Sequence, residues 1–305
     1  MKILVATDKP FAKIAVDGIR EIIESAGFQL ALLEKYTEKQ QLLDAVSDAD
    51  AVIIRSDIID AEVLGAAKKL KIVVRAGAGY DNVDLAAATS GGVCVMNTPG
   101  QNANAVAELA LGMMVHGVRN FFNGTSGTEL LGKKLGIHAY GNVGRNVARI
   151  AKGFGMEIYA YDAFCPANVI EKDGVKVLNS AEELYATCQF ISLHIPATAE
   201  TKNSINYALL SKMPEGAMLI NTARKEVINE TELVKLMEDR ADFKYLSDIM
   251  PSNHAELTKK FAGRYFSTPG KMGAQTAEAN INAGIAAAKQ IVDFLKNGNE
   301  QFRVN

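Results

Sequence analysis

The chain has 305 residues, 48% of them hydrophobic and 22% charged, which excludes a mainly disordered protein and provides for about two domains. Its 33 basic and 35 acidic residues give a net charge of −2, so composition provides no general attraction to nucleic acid or to an anionic membrane. No apolar run approaches the ~18 residues of a membrane span, the first residues lack a secretory signal, and the three cysteines form no disulfide framework or zinc pair. We therefore expect a cytoplasmic protein.

The first hundred residues alternate between short runs rich in β-branched residues and longer segments with helical periodicity. Strands are predicted at 2–6, 28–33, 51–54 and 72–74, with helices at 12–26, 40–46 and 61–70. Such alternation is typical of βαβ units and therefore of a parallel sheet with helices on its faces. These residues predict one small α/β domain.

A second series of elements begins after residue 100. A helix at 103–120 is apolar nearly all round, which is typical of a helix buried between layers or at a subunit contact. A polar, glycine-rich loop at 121–133 precedes strands at 134–139, 157–161, 190–194, 217–220 and 244–248 and helices at 143–153 and 230–239. The last helix, at 274–295, has no third set of elements to join, so we expect it to return to the first domain.

The strongest local signal for a nucleotide site lies where the strand at 134–139 runs into the next helix. The turn residues are Gly141, Asn142, Val143 and Gly144. Glycines in such a turn let backbone approach a pyrophosphate and let helix and strand pack closely, although Ala139 replaces the first glycine of the dinucleotide fingerprint. Asp162 follows about 18 residues later, where an acidic side chain can hold the ribose hydroxyls of NAD and repel the 2′-phosphate of NADP. An ordinary tight turn with a surface aspartate is the alternative.

Motifs spread along nearly the whole chain are together far more specific for one protein family than the glycine turn alone. They are Val-Val-Arg-Ala-Gly-Ala-Gly-Tyr-Asp-Asn-Val-Asp at 73–84, Asn-Thr-Pro at 97–99, Val-Ala-Glu-Leu at 106–109, Ser-Leu-His-Ile-Pro at 192–196, Asn-Thr-Ala-Arg at 221–224, Thr-Pro at 268–269, Gly-Ala at 273–274, Glu-Ala at 278–279 and Phe-Leu-Lys-Asn-Gly at 294–298. On these motifs the chain resembles the D-2-hydroxyacid dehydrogenase family, and within it the branch that acts on 3-phosphoglycerate.

The resemblance implies an α/β protein with two Rossmann-like domains, parallel sheets and an active site in the interdomain cleft. A flavodoxin-like substrate-binding domain would comprise residues 1–97 and 278–305, and an NAD-binding domain residues 98–277. Family members are usually homodimers joined through the NAD-binding domain, which fits the apolar helix at 103–120. The resemblance also implies a short form without the regulatory domain of longer members.

Hydride transfer from a 2-hydroxy acid needs a cation for the carboxylate, a group that takes the hydroxyl proton, and a nicotinamide held nearby. Arg224, at a predicted strand end, suits the first task because a guanidinium matches a carboxylate in a bidentate fork. A surface arginine that closes the strand is the alternative. By resemblance, Asp248 would hold the nicotinamide amide; a simple strand-end aspartate is the alternative. The other cofactor contacts implied by the resemblance are Ile195, Pro196, Thr201, Thr222, Ala223 and Gly273.

The sequence departs from the family pattern at the acid/base. Members usually carry Thr-Pro-His and, five residues beyond the aspartate that corresponds to Asp248, a glutamate that pairs with the histidine. Here the fifth residue is Asn253, and Lys271 stands at the histidine position after a one-residue insertion, Gly270. We predict that Lys271 replaces the histidine, since nearby positive charge favours the neutral amine that accepts a proton. His254 as the base, a Lys271 that only binds substrate, and an inactive enzyme are the alternatives.

Substrate specificity is expected to rest on the first domain. Arg55 and Arg75 each follow a predicted strand, so both would lie at the carboxyl ends of parallel strands, where α/β proteins bind ligands. By resemblance, these arginines help to hold the phosphate and carboxylate of 3-phosphoglycerate; ordinary solvated strand-end arginines are the alternative. Further substrate contacts are expected from Ser56, Ala76, Gly77 and Asn102.

The resemblance therefore implies NAD-dependent oxidation of 3-phosphoglycerate to 3-phosphohydroxypyruvate, the first step of serine synthesis. One alternative is a dehydrogenase for a 2-hydroxy acid without phosphate, such as a glyoxylate or hydroxypyruvate reductase. A second is a non-catalytic NAD(H)-binding regulator, which the missing histidine and glutamate favour and the three arginines oppose. No histidine shows metal spacing: His116 and His138 are predicted to pack, and His194 to form a structural hydrogen bond.

Overall fold

A computed structural model describes residues 1–305, and the chain divides in it into two units. The first unit consists of Met1–Asn102 and Thr276–Asn305, and the second of Ala103–Gln275. The sequence predicted divisions after residues 97 and 277. The assignment of substrate to one unit and the site in an interdomain cleft stay predictions.

All strands and helices are short or medium in length. The strands are β1 (Lys2–Thr7), β2 (Gln29–Glu34), β3 (Ala51–Ile54), β4 (Ile72–Arg75), β5 (Cys94–Asn97), β6 (Lys134–His138), β7 (Glu157–Tyr161), β8 (Lys176–Val177), β9 (Phe190–Leu193), β10 (Met218–Asn221), β11 (Lys244–Ser247) and β12 (Tyr265–Ser267). The helices are α1 (Lys13–Ser25), α2 (Lys39–Val46), α3 (Ala61–Ala66), α4 (Leu85–Ser90), α5 (Ala103–Val118), α6 (Asn142–Gly153), α7 (Ala167–Lys172), α8 (Ala181–Thr187), α9 (Tyr207–Leu210), α10 (Glu230–Asp239), α11 (His254–Lys260) and α12 (Ala277–Asn297). No helix has both the length and the apolar character of a membrane span.

The first unit is built on a five-stranded parallel sheet in the order β2-β1-β3-β4-β5. Its central strands are apolar and buried without alternation, as expected for a sheet with helices on both faces. On one face α12 packs against α1, where Gly284 lies against Ile19 and Phe11. The last helix therefore completes the first unit, which is discontinuous in sequence.

The second unit is built on a seven-stranded parallel sheet in the order β12-β11-β10-β9-β6-β7-β8. Helices α5 and α6 pack on one face, around a core that includes Leu111, Met114 and Val147. The other face carries α8, α9 and α10 around Leu184, Leu210 and Leu236. The strand order reverses between β6 and β9 here, and between β1 and β3 in the first unit. Ligands of open parallel sheets bind at such reversals, beside the carboxyl ends of the strands.

The prediction of an α/β protein with two parallel sheets is confirmed, and the missed elements are all short. These are α4, β5, α7, β8, α8, α9, α11 and β12, none longer than seven residues. Segments of this length contain too few periodic positions to show a helix or strand pattern. The predicted helix at 61–70 ends earlier, at Ala66.

Candidate functional site

A cavity of about 1170 Å³ lies in the second unit at the carboxyl ends of β6, β7 and β9. It therefore lies beside the reversal of strand order, where a doubly wound sheet binds its ligand. Its wall includes the turn that follows β6, Tyr161 at the end of β7 with the next four residues, and residues of the loop from His194 to Thr201. The volume is large enough for a ligand of nucleotide size.

The turn between β6 and α6 leaves room for a ligand at the helix N-terminus. Gly141 caps α6, and a side chain built there would meet no atom within 4 Å. At Gly144 a Cβ atom would lie 2.5 Å from the Ala139 carbonyl oxygen, so only glycine permits this helix to approach the strand so closely. Ala139 itself has a φ of 79°, a region that costs a non-glycine residue roughly 1–2 kcal/mol.

Asp162 joins the two turns at the mouth of the cavity. One carboxylate oxygen accepts a 2.6 Å hydrogen bond from the Tyr140 backbone N–H. The other accepts 2.8 Å bonds from the backbone N–H groups of Phe164 and Cys165. An ionised carboxylate has about four acceptor positions, so these three bonds leave capacity for a further donor. Asp162 therefore shapes the cavity as well as lining it.

The loop after β9 closes one side of the cavity and is held by its own threonines. The Thr201 hydroxyl donates to the Pro196 carbonyl oxygen at 2.6 Å and accepts from the Thr198 backbone N–H at 2.8 Å. Ile195 is buried beside it. Three predicted cofactor residues, Ile195, Pro196 and Thr201, thus lie in the cavity wall.

Two histidines form the inner wall of the same cavity. His138 Nδ1 lies 3.2 Å from the Tyr185 hydroxyl, and His194 Nε2 lies 3.0 Å from the Ser192 hydroxyl. Burial lowers the pKa of His138 to about 4 and the pKa of His194 to about 3. Both side chains are therefore neutral at neutral pH and serve as hydrogen-bonding groups, His138 buried and His194 partly exposed.

Neighbouring strands β10, β11 and β12 bring other predicted site residues to the same sheet edge. Arg224 follows β10, and Asn221 holds this turn, since its side chain accepts from the Ala223 N–H and donates to the Arg224 carbonyl oxygen, both at 2.9 Å. Arg224 Nη1 donates to the Ala223 carbonyl oxygen at 2.9 Å. The Thr222 hydroxyl is buried and has no hydrogen-bond partner in the structure.

Asp248 follows β11 and is 1% exposed. Its carboxylate accepts hydrogen bonds from the Thr268 hydroxyl at 2.9 Å and from the backbone N–H groups of Met272 and Gly273, each at 2.7 Å. The segment after β12 is therefore bound to the end of β11. Lys271 lies in this segment and is exposed.

Arg55 lies at the reversal of strand order in the first unit. Its guanidinium donates to the Lys9 and Pro10 carbonyl oxygens at 2.9 and 3.2 Å and to the Asn280 side chain at 2.5 Å, and it lies over the Phe11 ring. The loop after β1, the end of β3 and the start of α12 are thereby joined through one arginine side chain.

Arg75 lies at the end of the adjacent strand β4. Its Nε donates to the Arg55 carbonyl oxygen at 3.1 Å. Its guanidinium covers Gly77, where φ is 153° and a Cβ atom would lie 1.4 Å from Nη1. Only glycine at residue 77 therefore permits this arrangement. Ala76 and Gly77 are buried, whereas Ser56 is exposed and Asn102 is partly exposed.

Asp57 is a residue of this edge that sequence analysis missed. It is 4% exposed and accepts hydrogen bonds from the Asp8 backbone N–H, the Tyr36 hydroxyl and the Arg55 backbone N–H, at 2.8, 2.7 and 3.1 Å. Asn82 donates to the Asp57 and Arg55 carbonyl oxygens at 2.6 and 3.3 Å. These bonds fix the loops after β1, β2, β3 and β4. In the sequence, Asp57 is only a carboxylate two residues after Arg55, and a surface loop often has an aspartate at such a place.

The structure places His254 in a packing role. Its Nδ1 lies 2.8 Å from the Tyr265 hydroxyl, and the two rings meet edge to face. Tyr265 is itself buried and stacks on Tyr245. His116 packs among Phe121, Phe122 and Phe266, so it too is a packing residue.

Comparison with known proteins gives the family. Residues 102–265 match the model of the D-isomer specific 2-hydroxyacid dehydrogenase, NAD binding domain. This chain belongs to the D-isomer-specific 2-hydroxyacid dehydrogenase family. The predicted family and its NAD cofactor are confirmed.

Individual relatives of this chain carry different names. A D-3-phosphoglycerate dehydrogenase of Methanocaldococcus jannaschii is 34% identical over 85% of this chain and 52% of its own length. A hydroxypyruvate reductase of Thermotoga maritima is 34% identical over 88% of this chain and 92% of its own length. A crystal structure of NAD+-bound 3-phosphoglycerate dehydrogenase of Entamoeba histolytica has 50% sequence identity to this chain and a TM-score of 0.89. The match covers 100% of this chain and 98% of that one. The chain spans about half the length of the D-3-phosphoglycerate dehydrogenase of M. jannaschii.

The second unit of the chain has features that fit NAD. Its cavity lies at a helix N-terminus, where backbone N–H groups and the helix dipole favour a pyrophosphate. Asp162 lies at the cavity mouth, and the buried Thr222 hydroxyl at the neighbouring strand end lacks a partner that a bound group can supply. Gly141, Asn142, Asp162, Ile195, Pro196 and Thr201 line the cavity. The loops that follow β10, β11 and β12 contain Thr222, Ala223, Asp248 and Gly273.

The lowered pKa values of His138 and His194 predict a pH-dependent stability. A histidine in an unfolded chain has a pKa of about 6.5. Below that pH the unfolded chain binds protons, whereas His138 and His194 in the folded protein stay unprotonated. The free energy of unfolding should be at its full value above about pH 6.5 and fall on acidification toward pH 4, by about 1.4 kcal/mol per pH unit for each histidine. Urea unfolding at pH 7.5, 6 and 5 measures this, and His138→Phe should reduce the slope. An unchanged slope in that variant would contradict the assignment.

Proposed function

We propose that this dehydrogenase interconverts 3-phosphoglycerate and 3-phosphohydroxypyruvate with NAD. The observation that carries the proposal is the pair of arginines, Arg55 and Arg75, at the carboxyl ends of adjacent strands. A phosphate dianion is recognised best by several charge-assisted hydrogen bonds, and guanidinium groups supply them in forks. The 50% identical relative carries the name of a 3-phosphoglycerate dehydrogenase.

In this proposal the substrate carboxylate and C2 oxygen bind to Arg224, and the phosphate binds to Arg55 and Arg75. Ser56 and Asn102 provide further polar contacts. The backbone N–H groups of Ala76 and Gly77, which the resemblance implied as carboxylate contacts, instead donate to the Ile54 and Arg75 carbonyl oxygens at 2.8 and 2.9 Å. Asn221 holds the turn that carries Arg224. Arg224 stabilises negative charge on the C2 oxygen as hydride leaves the carbon, which is where preorganised charge lowers the barrier most.

Lys271 moves the proton. In the oxidative direction its neutral amine accepts the proton of the C2 hydroxyl, and in the reductive direction its ammonium returns it. NAD, when bound, accepts the hydride of C2 and so takes up the electron pair. The products are a 2-oxo acid, NADH and one proton. No family histidine is needed, and His254 is committed to Tyr265.

The same proposal assigns the cofactor contacts. Gly141, Asn142, Val143 and Gly144 bind the pyrophosphate at the N-terminus of α6, and Asp162 binds the adenosine ribose. Loop residues Ile195, Pro196 and Thr201, strand-end residues Thr222 and Ala223, and Asp248 with Gly273 hold the remainder. A homodimer joined through α5, a role in serine synthesis and a cytoplasmic location stay predictions.

A second candidate function is reduction of a 2-oxo acid without phosphate. The hydroxypyruvate reductase of T. maritima, whose length this chain covers to 92%, favours it. The two candidates differ in one chemical respect, which is whether the first unit recognises a phosphate. A substitution at Arg75 therefore separates them.

Arg75→Gln should lower kcat/KM for 3-phosphohydroxypyruvate by about 10- to 100-fold, the effect of losing one or two hydrogen bonds to a charged group. For hydroxypyruvate, which lacks the phosphate, kcat/KM should change less than about threefold if the only lost contact is to phosphate. Steady-state NADH oxidation with both compounds measures the ratio. Arg20→Gln is the matched control, since Arg20 pairs only with Glu24 on the surface of α1. Equal losses of kcat/KM with both compounds would show that Arg75 does not recognise phosphate and would contradict the proposal.

A further inference from the structure

The residues on both sides of Lys271 are tied to a single buried pair, Thr268 and Asp248. On one side, the Gly270 carbonyl oxygen lies 2.7 Å from the Thr268 hydroxyl. On the other, the Met272 backbone N–H donates to Asp248 Oδ1 at 2.7 Å. Lys271 thus projects from a short segment whose two ends are both fixed.

The pair is itself firmly anchored to the sheet. The Thr268 backbone N–H donates to the Ser247 carbonyl oxygen at 3.0 Å, and the Asp248 backbone N–H donates to the Asn221 carbonyl oxygen at 2.9 Å. Thr268 is 5% exposed and Asp248 is 1% exposed, so water does not compete for these bonds. The positions of both side chains are therefore set by β10, β11 and β12.

The Thr268 hydroxyl completes the hydrogen bonding of the pair. It lies 2.9 Å from Asp248 Oδ1 and 2.7 Å from the Gly270 carbonyl oxygen, and its single hydrogen is directed at one of them at a time. The Gly273 N–H donates to Asp248 Oδ2 at 2.7 Å. Without the hydroxyl, neither the Gly270 carbonyl oxygen nor Asp248 Oδ1 can receive this hydrogen, so the segment that carries Lys271 gains freedom.

We propose that Thr268 is a positioning residue for proton transfer, which acts with Asp248 as a clamp on the segment that carries Lys271. This inference rests on the proposed function, because it assigns to Lys271 the proton that the reaction moves. It also gives Asp248 a task beyond any contact with the cofactor. A displacement of about 1 Å in a reacting group can cost about 100-fold in rate, so a modest gain in freedom has a large effect.

The test compares Thr268→Val, which removes the hydroxyl at nearly constant shape, with Thr268→Ser, which keeps it. We expect kcat for reduction of 3-phosphohydroxypyruvate to fall about 10- to 100-fold in Thr268→Val and to recover to within about threefold in Thr268→Ser. The dissociation constant of NADH, from its fluorescence, should change less than about threefold. Thr268→Ala provides the same loss in a smaller side chain if the valine variant does not fold. Thr7→Val is the matched control, because the Thr7 hydroxyl is buried without a hydrogen-bond partner.

Two further readouts separate positioning from a general loss of structure. Amide hydrogen exchange of residues 268–275 in the protein without cofactor should accelerate in Thr268→Val and not in Thr7→Val. In the double-substitution cycle with Lys271→Ala, removal of the hydroxyl should have no additional effect on kcat, since a clamp acts through Lys271 alone.

Several results would overturn the clamp. These are wild-type kcat in both Thr268→Val and Thr268→Ala, equal losses in the valine and serine variants, or multiplicative losses in the double-substitution cycle. If instead Lys271→Ala retains turnover, the proposed role of Lys271 fails. The exchange rates then still report whether the hydroxyl holds the segment.

Discussion

Replacing Arg224 by glutamine is expected to lower kcat/KM for the 2-oxo acid by roughly 10²- to 10³-fold. The substrate carboxylate would lose a bidentate, charge-assisted partner in a desolvated site, a loss on the order of 2–5 kcal/mol. The backbone of the turn would remain in place, since Asn221 bonds to the main chain of Ala223 and Arg224 and not to the guanidinium. The loss should therefore fall on catalysis and not on folding.

The measurement is steady-state NADH oxidation at several 2-oxo acid concentrations, together with NADH binding by fluorescence. Arg224→Lys should recover only part of the loss, because an ammonium keeps the charge and not the planar fork. Arg149→Gln is the control, since this exposed arginine on α6 bonds only to Asn104 and Asn146. A wild-type kcat/KM in Arg224→Gln would remove Arg224 from the active site.

Replacing Lys271 by methionine is expected to lower kcat by about 10²- to 10⁴-fold, the range in which a general acid/base contributes. Methionine keeps the length and apolar stem of the side chain and removes the proton carrier. NADH binding should persist, because the cofactor cavity is formed by other residues.

Added primary amines should restore part of the turnover of Lys271→Ala, with a larger effect for the more basic amine in the oxidative direction.

Two further variants distinguish proton transfer from substrate binding. Lys271→Arg keeps the positive charge but cannot release a proton, so it should remain as slow as Lys271→Met if Lys271 is the base. Lys260→Met serves as the control, since Lys260 lies on α11 and forms surface ion pairs with Glu238 and Glu256. Near-normal turnover in Lys271→Ala would show that another group moves the proton.

Long periodic segments were predictable from the sequence because their pattern reflects which face is buried. The predicted helix at 230–239 coincides with α10, and the first and second strands are found within one residue of their predicted positions. The glycine turn before α6 and its distance from Asp162 were also visible, since both depend on local chain geometry. Motifs of the family supplied Arg224 and Lys271 as candidates, which no periodicity identifies.

Contacts between distant chain segments were not predictable in this way. Asp57 gathers donors from Asp8, Tyr36 and Arg55, and no local pattern distinguishes such a carboxylate from one in solvent. Thr268 was part of a recognised motif, but its bond to Asp248 depends on the pairing of β11 with β12, a three-residue strand that the sequence did not predict. The sequence thus indicated candidate reacting groups and missed the contacts that hold them.

Oxidation of NADH by 3-phosphohydroxypyruvate, run beside hydroxypyruvate at equal concentration, tests the central claim most directly. Phosphate recognition by Arg55 and Arg75 predicts a kcat/KM at least about 10-fold higher for the phosphorylated compound, since even one charge-assisted hydrogen bond accounts for that ratio. Equal or reversed preference would contradict the assignment and favour reduction of 2-oxo acids without phosphate. Tight NADH binding without turnover of either compound would contradict it too, and would favour a non-catalytic NAD(H)-binding regulator.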